Sequence, residues 1–487
     1  MNPSRHHLDL NRRQLLRAAG AGFGGAALMS ALGQAGFASA AGLTPLPAKA
    51  KNVIFLFMFG GPSQMDLFDY KPALQKYDGQ TVSHEWRRDL TKESVVLGSK
   101  RKFAQYGDTG QWCSDAFRLI PEHMDKLAVV KSLYTDSFAH GSAILQMNSG
   151  QAMPGHPALG AWVTYGRGRD NPDLPPFVVM QDPRGGPISG PANWSSGYMP
   201  AAYQGTLFRS SGDPVLNLEA GPRAARSSLT RAMQREQIDL IRRINAEHAA
   251  TRAGHGNPAG RDETYELAYR MQETAPEALD LSQESEATKR MYGMYDPKPA
   301  HRLSVGPAPF GRQCLIARRL LQRGVRFVQI YHGGGHQQQT WDAHLGVEAN
   351  LSIHCPEVDR PIHGLLTDLE RTGMLDETLV IWGGEFGRQP VQQQEGAGQQ
   401  KSDVGRDHNP KGFTMWLAGA GIKPGSYGET DELGAEAARD RHHIRDLHAT
   451  ILHLLGLDWS QLTYYYGGLD RKLTGVIVPK LIDGILA

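Results

Sequence analysis

The stretch Val53-Ile54-Phe55-Leu56-Phe57-Met58-Phe59 is apolar at every position. A strand with one wet face alternates apolar and polar residues. An unbroken apolar run instead reads as a central strand buried on both faces, as in sheets covered by helices above and below. Two further runs, Phe327–Tyr331 and Thr378–Trp382, lead straight into glycine accompanied by His, Asp or Glu. In an open α/β sheet, ligands and chemistry gather outside the carboxyl ends of the strands. These three runs therefore predict an α/β chain with a site at its strand tips.

The chain has 487 residues, enough for more than one average domain, although large α/β enzymes often run as one. A net charge of +2 with 21% charged residues gives no basic excess to attract nucleic acid and no acidic excess to keep the chain unfolded. The 56 glycines and 29 prolines suit a sheet protein with long connections. Cys113, Cys314 and Cys355 lack the close spacings of metal ribbons or redox pairs, so buried, idle thiols are expected.

Asn11-Arg12-Arg13-Gln14-Leu15-Leu16 precedes a Gly/Ala-rich run from Ala18 to Ala35 and then Ala38-Ser39-Ala40. The pattern resembles a twin-arginine export signal, residues 1–40, cleaved near Ala40. The run is too poorly hydrophobic for a stable membrane span. The resemblance implies passage through the twin-arginine translocase, a periplasmic or extracellular mature chain 41–487, and a fold completed before export, often with a metal inserted.

Along that mature chain, Gly60-Gly61-Pro62-Ser63 breaks the first strand, and Asp66 and Asp69 follow, as turn caps or as ligands. Thr81 to Asp115 reads as an irregular surface excursion. Leu127–Leu133 predicts a strand, followed by a tight turn bearing His140 and Ser142 and a helix through Met147 that closes at Gly150. Such a strand, turn and helix start is a usual seat for an anion or a nucleophile. Pro176–Met180 reads as a strand and 185–212 as loop. The polar, helix-periodic residues from Leu229 to Met294 mark an inserted helical cap at about 214–300. Cys314–Leu321 and Pro356–Thr372 predict helices, with Asp359, His363 and Asp368 on a solvated face, and Gly412–Ala418 a further strand.

Polar residues of the metal-ligating kinds cluster after the later strands. His332, His336, Asp342 and His344 follow Val325–Tyr331, and Asp342-Ala343-His344 can present one oxygen and one imidazole nitrogen to the same cation, a set that suits zinc, manganese or iron. Glu385, framed by glycines at the tip of Thr378–Trp382, is costly to bury alone and needs a metal or an arginine, for which Arg388 is near in sequence. His408 follows Gly405-Arg406-Asp407 just before the next strand.

Taken together with the leader, Phe59-Gly60-Gly61-Pro62-Ser63-Gln64-Met65-Asp66-Leu67-Phe68-Asp69, His140-Gly141-Ser142, Trp341-Asp342-Ala343-His344, Gly384-Glu385-Phe386-Gly387-Arg388 and Gly405-Arg406-Asp407-His408 resemble the domain-of-unknown-function family 1501 over nearly the whole mature chain. Members of that family are similar in core to alkaline phosphatases and sulfatases. The resemblance implies a doubly wound, mixed or parallel sheet with one or two divalent metal ions of the zinc, manganese or calcium class at the strand tips. It implies Asp342, His344 and His408 as one ligand set, and Glu385 where the superfamily has Asp. Phe386 falls where that superfamily has a metal-binding His. Phe59 and Gly60 fall where it has its first-strand aspartate, so Asp66 or Asp69 must reach back from the loop. The nucleophile position falls at or close to His140, leaving His140 as ligand, nucleophile or acid–base group and Ser142 as an alternative nucleophile. Arg388 and Arg406 are placed to hold anion oxygens. His448, in Asp446-Leu447-His448, supports the site or merely packs its helix.

The implied activity is hydrolysis of a phosphate or sulfate ester, or of a related anionic small-molecule or saccharide substrate. The alternative is a non-catalytic binding or surface-assembly protein on a degenerate core. A phosphoglycerate-mutase-like transferase is disfavoured by export.

Overall fold

A computed structural model describes residues 46–86, 90–209, 215, 230–251, 258–335, 337–393 and 404–487. The expected leader 1–40 and His336 lie outside the described residues. The main sheet is built from β1 (Asn52–Met58), β2 (Leu127–Tyr134), β3 (Phe177–Met180), β4 (Thr206–Phe208), β5 (Phe327–His332), β6 (Thr378–Gly383), β7 (Phe413–Gly419), β8 (Gly425–Tyr427) and β9 (His442–His443). Its spatial order is β8-β2-β7-β6-β1-β5-β3-β4, with β9 also on β2. Every pairing is parallel except the two that β7 makes, with β6 and with β2.

β1 lies between β5 and β6, and every one of its residues is buried. Side chains alternate across a strand. Ile54, Leu56 and Met58 accordingly enter one core, and Val53, Phe55 and Phe57 the other. The longer helices among the described residues are α1 (His140–Ser149), α2 (Leu159–Arg167), α3 (Arg231–Thr251), α4 (Pro258–Leu279), α5 (Ala308–Gln322), α6 (Val347–Arg371) and α7 (Ile444–Leu454). α5 and α6 fill the first core, and α1, α2 and α7 the second, so the sheet is covered on both faces. Each fully buried Val, Leu, Ile or Phe removes apolar area worth about 1.5–3 kcal/mol from water, and this layered burial holds the strand tips in register.

Within the polar segment, the described residues form α3 and α4, and α4 sends Met271, Ala275, Ala278 and Leu279 into the first core. Where the sequence reads as an irregular excursion, the chain forms two hairpins, Thr81–Trp86 with Leu90–Val95 and Phe103–Tyr106 with Gln111–Ser114. α6 begins well before the expected Pro356 and carries Pro356 and Pro361 inside it. Burial of Leu351, Ile353 and Cys355 carries the helix through a residue that lacks an N–H donor.

The solvated face expected on α6 is also corrected. Asp359 is buried and accepts the backbone N–H groups of Arg118, Leu119 and Ile120 at 2.9, 3.1 and 3.0 Å. Asp368 is fully buried, accepts from Tyr292 Oη at 3.0 Å and pairs with Arg318 at 3.0 Å. Both carboxylates serve the elements that cover α6, which periodicity along a single helix does not reveal. All three cysteines are buried and free. Among the described residues no helix is long and apolar enough to cross a membrane.

Candidate metal centre

The tips of β1, β5 and β6 end level, with Met58 opposite His332 and Phe57 opposite Gly383. Gly60 turns away from β1 at φ +116°, a conformation glycine adopts freely. A Cβ there would lie 2.5 Å from the backbone N of Asp342 and 2.7 Å from that of Trp341. Its absence lets the loop after β5 lie directly on the β1 tip, where Trp341 N–H donates to Phe59 O at 2.9 Å. Asp342 is thereby carried to the centre of the site.

Around a single oxygen of Asp342, Oδ1, stand three imidazoles and one guanidinium. His344 Nε2 is 3.0 Å away, His408 Nε2 3.1 Å and His140 Nε2 3.3 Å. Arg388 Nη2 donates to it at 2.7 Å. The three imidazoles come from different parts of the chain. His140 is the first residue of α1, His344 lies in the loop after β5, and His408 sits on the short strand Arg406–Asn409, opposite Arg388 of its partner Gly387–Gln392.

The other nitrogen of each imidazole fixes its tautomer. His140 Nδ1 lies 2.6 Å from the buried carboxylate of Glu385, which can only accept. His408 Nδ1 donates to the Phe138 carbonyl at 2.7 Å. His344 Nδ1 donates to the Gln393 side-chain oxygen. With Nδ1 carrying the proton, each neutral ring turns an Nε2 lone pair toward an anionic oxygen. The four ligand atoms of His140, Asp342, His344 and His408 lie within 4.8 Å of one another. Converging acceptors repel unless a cation sits between them, and imidazole held through Nδ1–H to an oxygen is the usual support of a metal-bound histidine. His140 Nε2 is buried and faces Asp342 Oδ1 at 3.3 Å.

Electrostatics point the same way. Burial resists charge on His140, but the Asp342 and Glu385 carboxylates outweigh it and push the imidazole up to about 9. Burial, Arg388 and His140 push His408 down to about 3 despite Asp342. Asp342 is held far below the usual carboxylate range, because Arg388 and the three imidazoles overcome the effect of burial. The two carboxylates beside His140 thus favour positive charge at the centre of the cluster.

A second group, His332, His354 and Glu357, is fully buried, but it does not fit a metal. Trp341 Nε1–H donates to His332 Nδ1 at 3.1 Å, so His332 carries its proton on Nε2, the atom facing Glu357. Arg184 already occupies Glu357 Oε2 at 2.9 Å. The His332 Nε2–H points at Glu357, a donor proton where a cation would have to go.

The structure brings Asp342, His344 and His408 together and adds His140. Glu385 stands just outside the ligand atoms. Its oxygens accept the Gly60 N–H at 3.0 and 3.2 Å and the His140 ring, so it orients that imidazole. Asp66 is not among the converging atoms. It is buried against Arg406, with Nε to Oδ2 at 2.8 Å and Nη2 to Oδ1 at 3.3 Å, and it accepts from Ser63 Oγ at 2.5 Å. That pairing also removes Arg406 from any anion-holding role. Asp69 accepts from Thr430 and pairs with Lys71 at 3.2 Å.

Arg388 is fully buried and committed to Asp342, to Gly61 O at 2.9 Å and to Arg406 O at 3.2 Å. It braces the ligand loop and has no hand left for a substrate. Ser142 is turned to Ser137 Oγ at 2.5 Å and Ala139 O at 3.2 Å. Phe386 packs against His408 and His140, with ring centroids 4.5 and 4.9 Å apart, and closes that side of the cluster. His448 is buried and binds Met147 O at 2.7 Å, tying α7 to α1. Nothing in the sequence marks Gln393 or the Phe138 carbonyl as supports for the ligands; both follow from how loops meet.

Among solved structures, Ps i-CgsB aligns with 9% identity and a TM-score of 0.36 over 84% of this chain and 72% of its own. The phosphonate monoester hydrolase SpPMH from Silicibacter pomeroyi aligns with 13% identity and a TM-score of 0.31 over 70% of this chain and 69% of its own. The alkaline phosphatase of the Antarctic bacterium TAB5 aligns with 12% identity and a TM-score of 0.30 over 80% and 96%. Likenesses this slight have no bearing on activity. No curated protein matches the chain. The family described as "Protein of unknown function (DUF1501)" matches residues 50–486, and the chain belongs to that family.

Proposed function

We propose that the chain is a metal-dependent hydrolase working at one divalent cation held by His140, Asp342, His344 and His408. The observation that carries this reading is the convergence of three imidazole Nε2 atoms on one oxygen of Asp342. A three-nitrogen, one-oxygen set suits zinc or manganese. Such a cation, when bound, polarises an ester and makes a water acidic enough to attack it near neutral pH.

The chain's own groups prepare that site. Glu385, Phe138 and Gln393 fix the three imidazoles, and Arg388 steadies Asp342. Phe386 and Phe59 shut the inner side. His344, at 26% side-chain exposure the most open of the four, marks the side from which a substrate approaches. With Ser142 turned away and both arginines committed, water is the nucleophile. The substrate class we favour is a phosphate or sulfate ester, small or saccharide, whose negative oxygens the cation attracts. The pattern around Arg12 and Arg13 and Ala38-Ser39-Ala40 supports export by the twin-arginine translocase to the periplasm or beyond.

A second reading rests on the same geometry. Four protein ligands make a closed set of the kind structural zinc sites use, consistent with a binding or surface-assembly protein. Metal analysis of the folded chain, followed by a panel of chromogenic phosphate and sulfate esters, separates the two. The hydrolase reading expects one bound ion per chain, lost in Asp342→Ala and His344→Ala, and turnover that disappears with it. A bound ion without turnover on any ester favours the second reading. A stable chain that binds no metal refutes both.

A further inference from the structure

We propose that His332 and Glu357 are positioning residues of the metal centre, acting through Trp341; this rests on the metal-centre reading above. Trp341 immediately precedes Asp342, and its buried indole Nε1–H donates to His332 Nδ1 at 3.1 Å. His332 can accept there only while its own proton sits on Nε2, and Glu357 Oε2, 3.1 Å away, holds it in that form. Glu357 is held in turn by Arg184 Nη2 at 2.9 Å, Ser304 Oγ at 2.6 Å and the backbone N of Val305 at 2.7 Å. Arg184 grips Asp182 through two bonds of 2.8 Å, and Asp182 accepts from Gly333 N–H at 2.9 Å, which returns the network to the residue after His332.

The result is a closed, buried ring joining α6 to the β5 tip, from which a directional contact reaches the indole beside Asp342. α6 also holds the loop backbone, through Asn350 to Thr340 O at 2.8 Å and His354 to Gln338 O at 3.2 Å. Packing alone confines an indole to a slot, but a hydrogen bond fixes its rotation in that slot, and Asp342 turns with it. Ligands must be held to within about 0.5 Å for a productive site. A buried carboxylate and guanidinium are costly to retain without such a purpose.

Three variants isolate the indole contact. His332→Asn keeps an acceptor near the Nδ1 position, His332→Gln keeps a donor toward Glu357 but removes that acceptor, and Trp341→Phe removes the indole donor while keeping a ring. Zinc affinity is measured by chelator competition, the cobalt absorption spectrum reports ligand geometry, and melting of the metal-free proteins reports folding. His332→Gln and Trp341→Phe are expected to bind zinc roughly 10–100-fold more weakly with altered cobalt spectra, as loss of a supporting contact commonly does, whereas His332→Asn stays within about threefold of wild type. Wild-type affinity and spectrum in both weakened variants overturn the proposal, as does failure of both to fold, which would make the ring purely structural. A wild-type chain that binds neither zinc nor cobalt refutes the metal-centre reading itself, and the relay with it.

Discussion

Replacing Glu385 by Gln tests the centre at its most exposed assumption, that a carboxylate sets the tautomer of His140. Glu385 Oε1 receives His140 Nδ1 at 2.6 Å, and its two oxygens share the Gly60 N–H at 3.0 and 3.2 Å. Glutamine has the same shape but only one acceptor. If its oxygen takes the Oε1 position, His140 keeps its orientation, but the new NH₂ lies against the Gly60 N–H and the charge that steadied the imidazole is lost. If the amide turns over, the NH₂ takes the position nearer the Gly60 N–H, and His140 must accept on Nδ1 and point an N–H at the cation. Hydrogen bonds to charged groups contribute about 1.5–3 kcal/mol, and a lost supporting contact commonly lowers metal affinity 10–100-fold, equivalent to roughly 1.4–2.7 kcal/mol. The expected outcome is a zinc affinity reduced by about that factor in chelator competition, with the metal-free protein little changed or less stable in thermal melting. Affinity within about twofold of wild type, together with unchanged stability, would show that Glu385 does not orient a ligand and would undo the tautomer argument.

Asp66→Asn leaves Arg406 buried without its charge partner, and breaking such a pair costs about 3–5 kcal/mol; denaturant unfolding should show that loss while metal content per folded chain stays at the wild-type value. Metal lost with stability intact would instead restore Asp66 as a ligand. Burial, helped by His443 and Arg445, pushes His448 down to about 4 from an ordinary 6.5. A buried imidazole held low is neutral when folded but takes a proton when unfolded, so its contribution is whole above pH 6.5 and lost as pH falls toward 4, by about 3 kcal/mol. His448→Gln, which keeps a donor for Met147 O, should flatten the decline in stability across that window. An unchanged acid limb would mean that His448 does not contribute to it.

The class of fold was legible because its signal is local. Continuous apolar runs at Val53–Phe59, Phe327–Tyr331 and Thr378–Trp382 can be satisfied only between two layers, and they form adjacent strands at the middle of the sheet. The stop of the helix at Gly150, where φ is +71°, follows from equally local chemistry, although the helix begins at His140, three residues before the expected Ala143. Thr81 to Asp115 and the face of α6 were not legible in this way. Hairpin pairing and the burial of Asp359 and Asp368 depend on partners far away in sequence.

For the site, sequence alone determined which residue types stand at the strand tips, and Asp342, His344 and His408 among them. Only the tertiary structure decided their roles, because those depend on which atoms meet. It turned His140 toward Asp342, gave Glu385 to His140, and paired Asp66 with Arg406 and Arg388 with Asp342. A carboxylate near a glycine turn in sequence is equally suited to bind a metal, orient a histidine or neutralise an arginine. The choice among these is made by distances of about 3 Å between residues hundreds of positions apart, which no local pattern encodes.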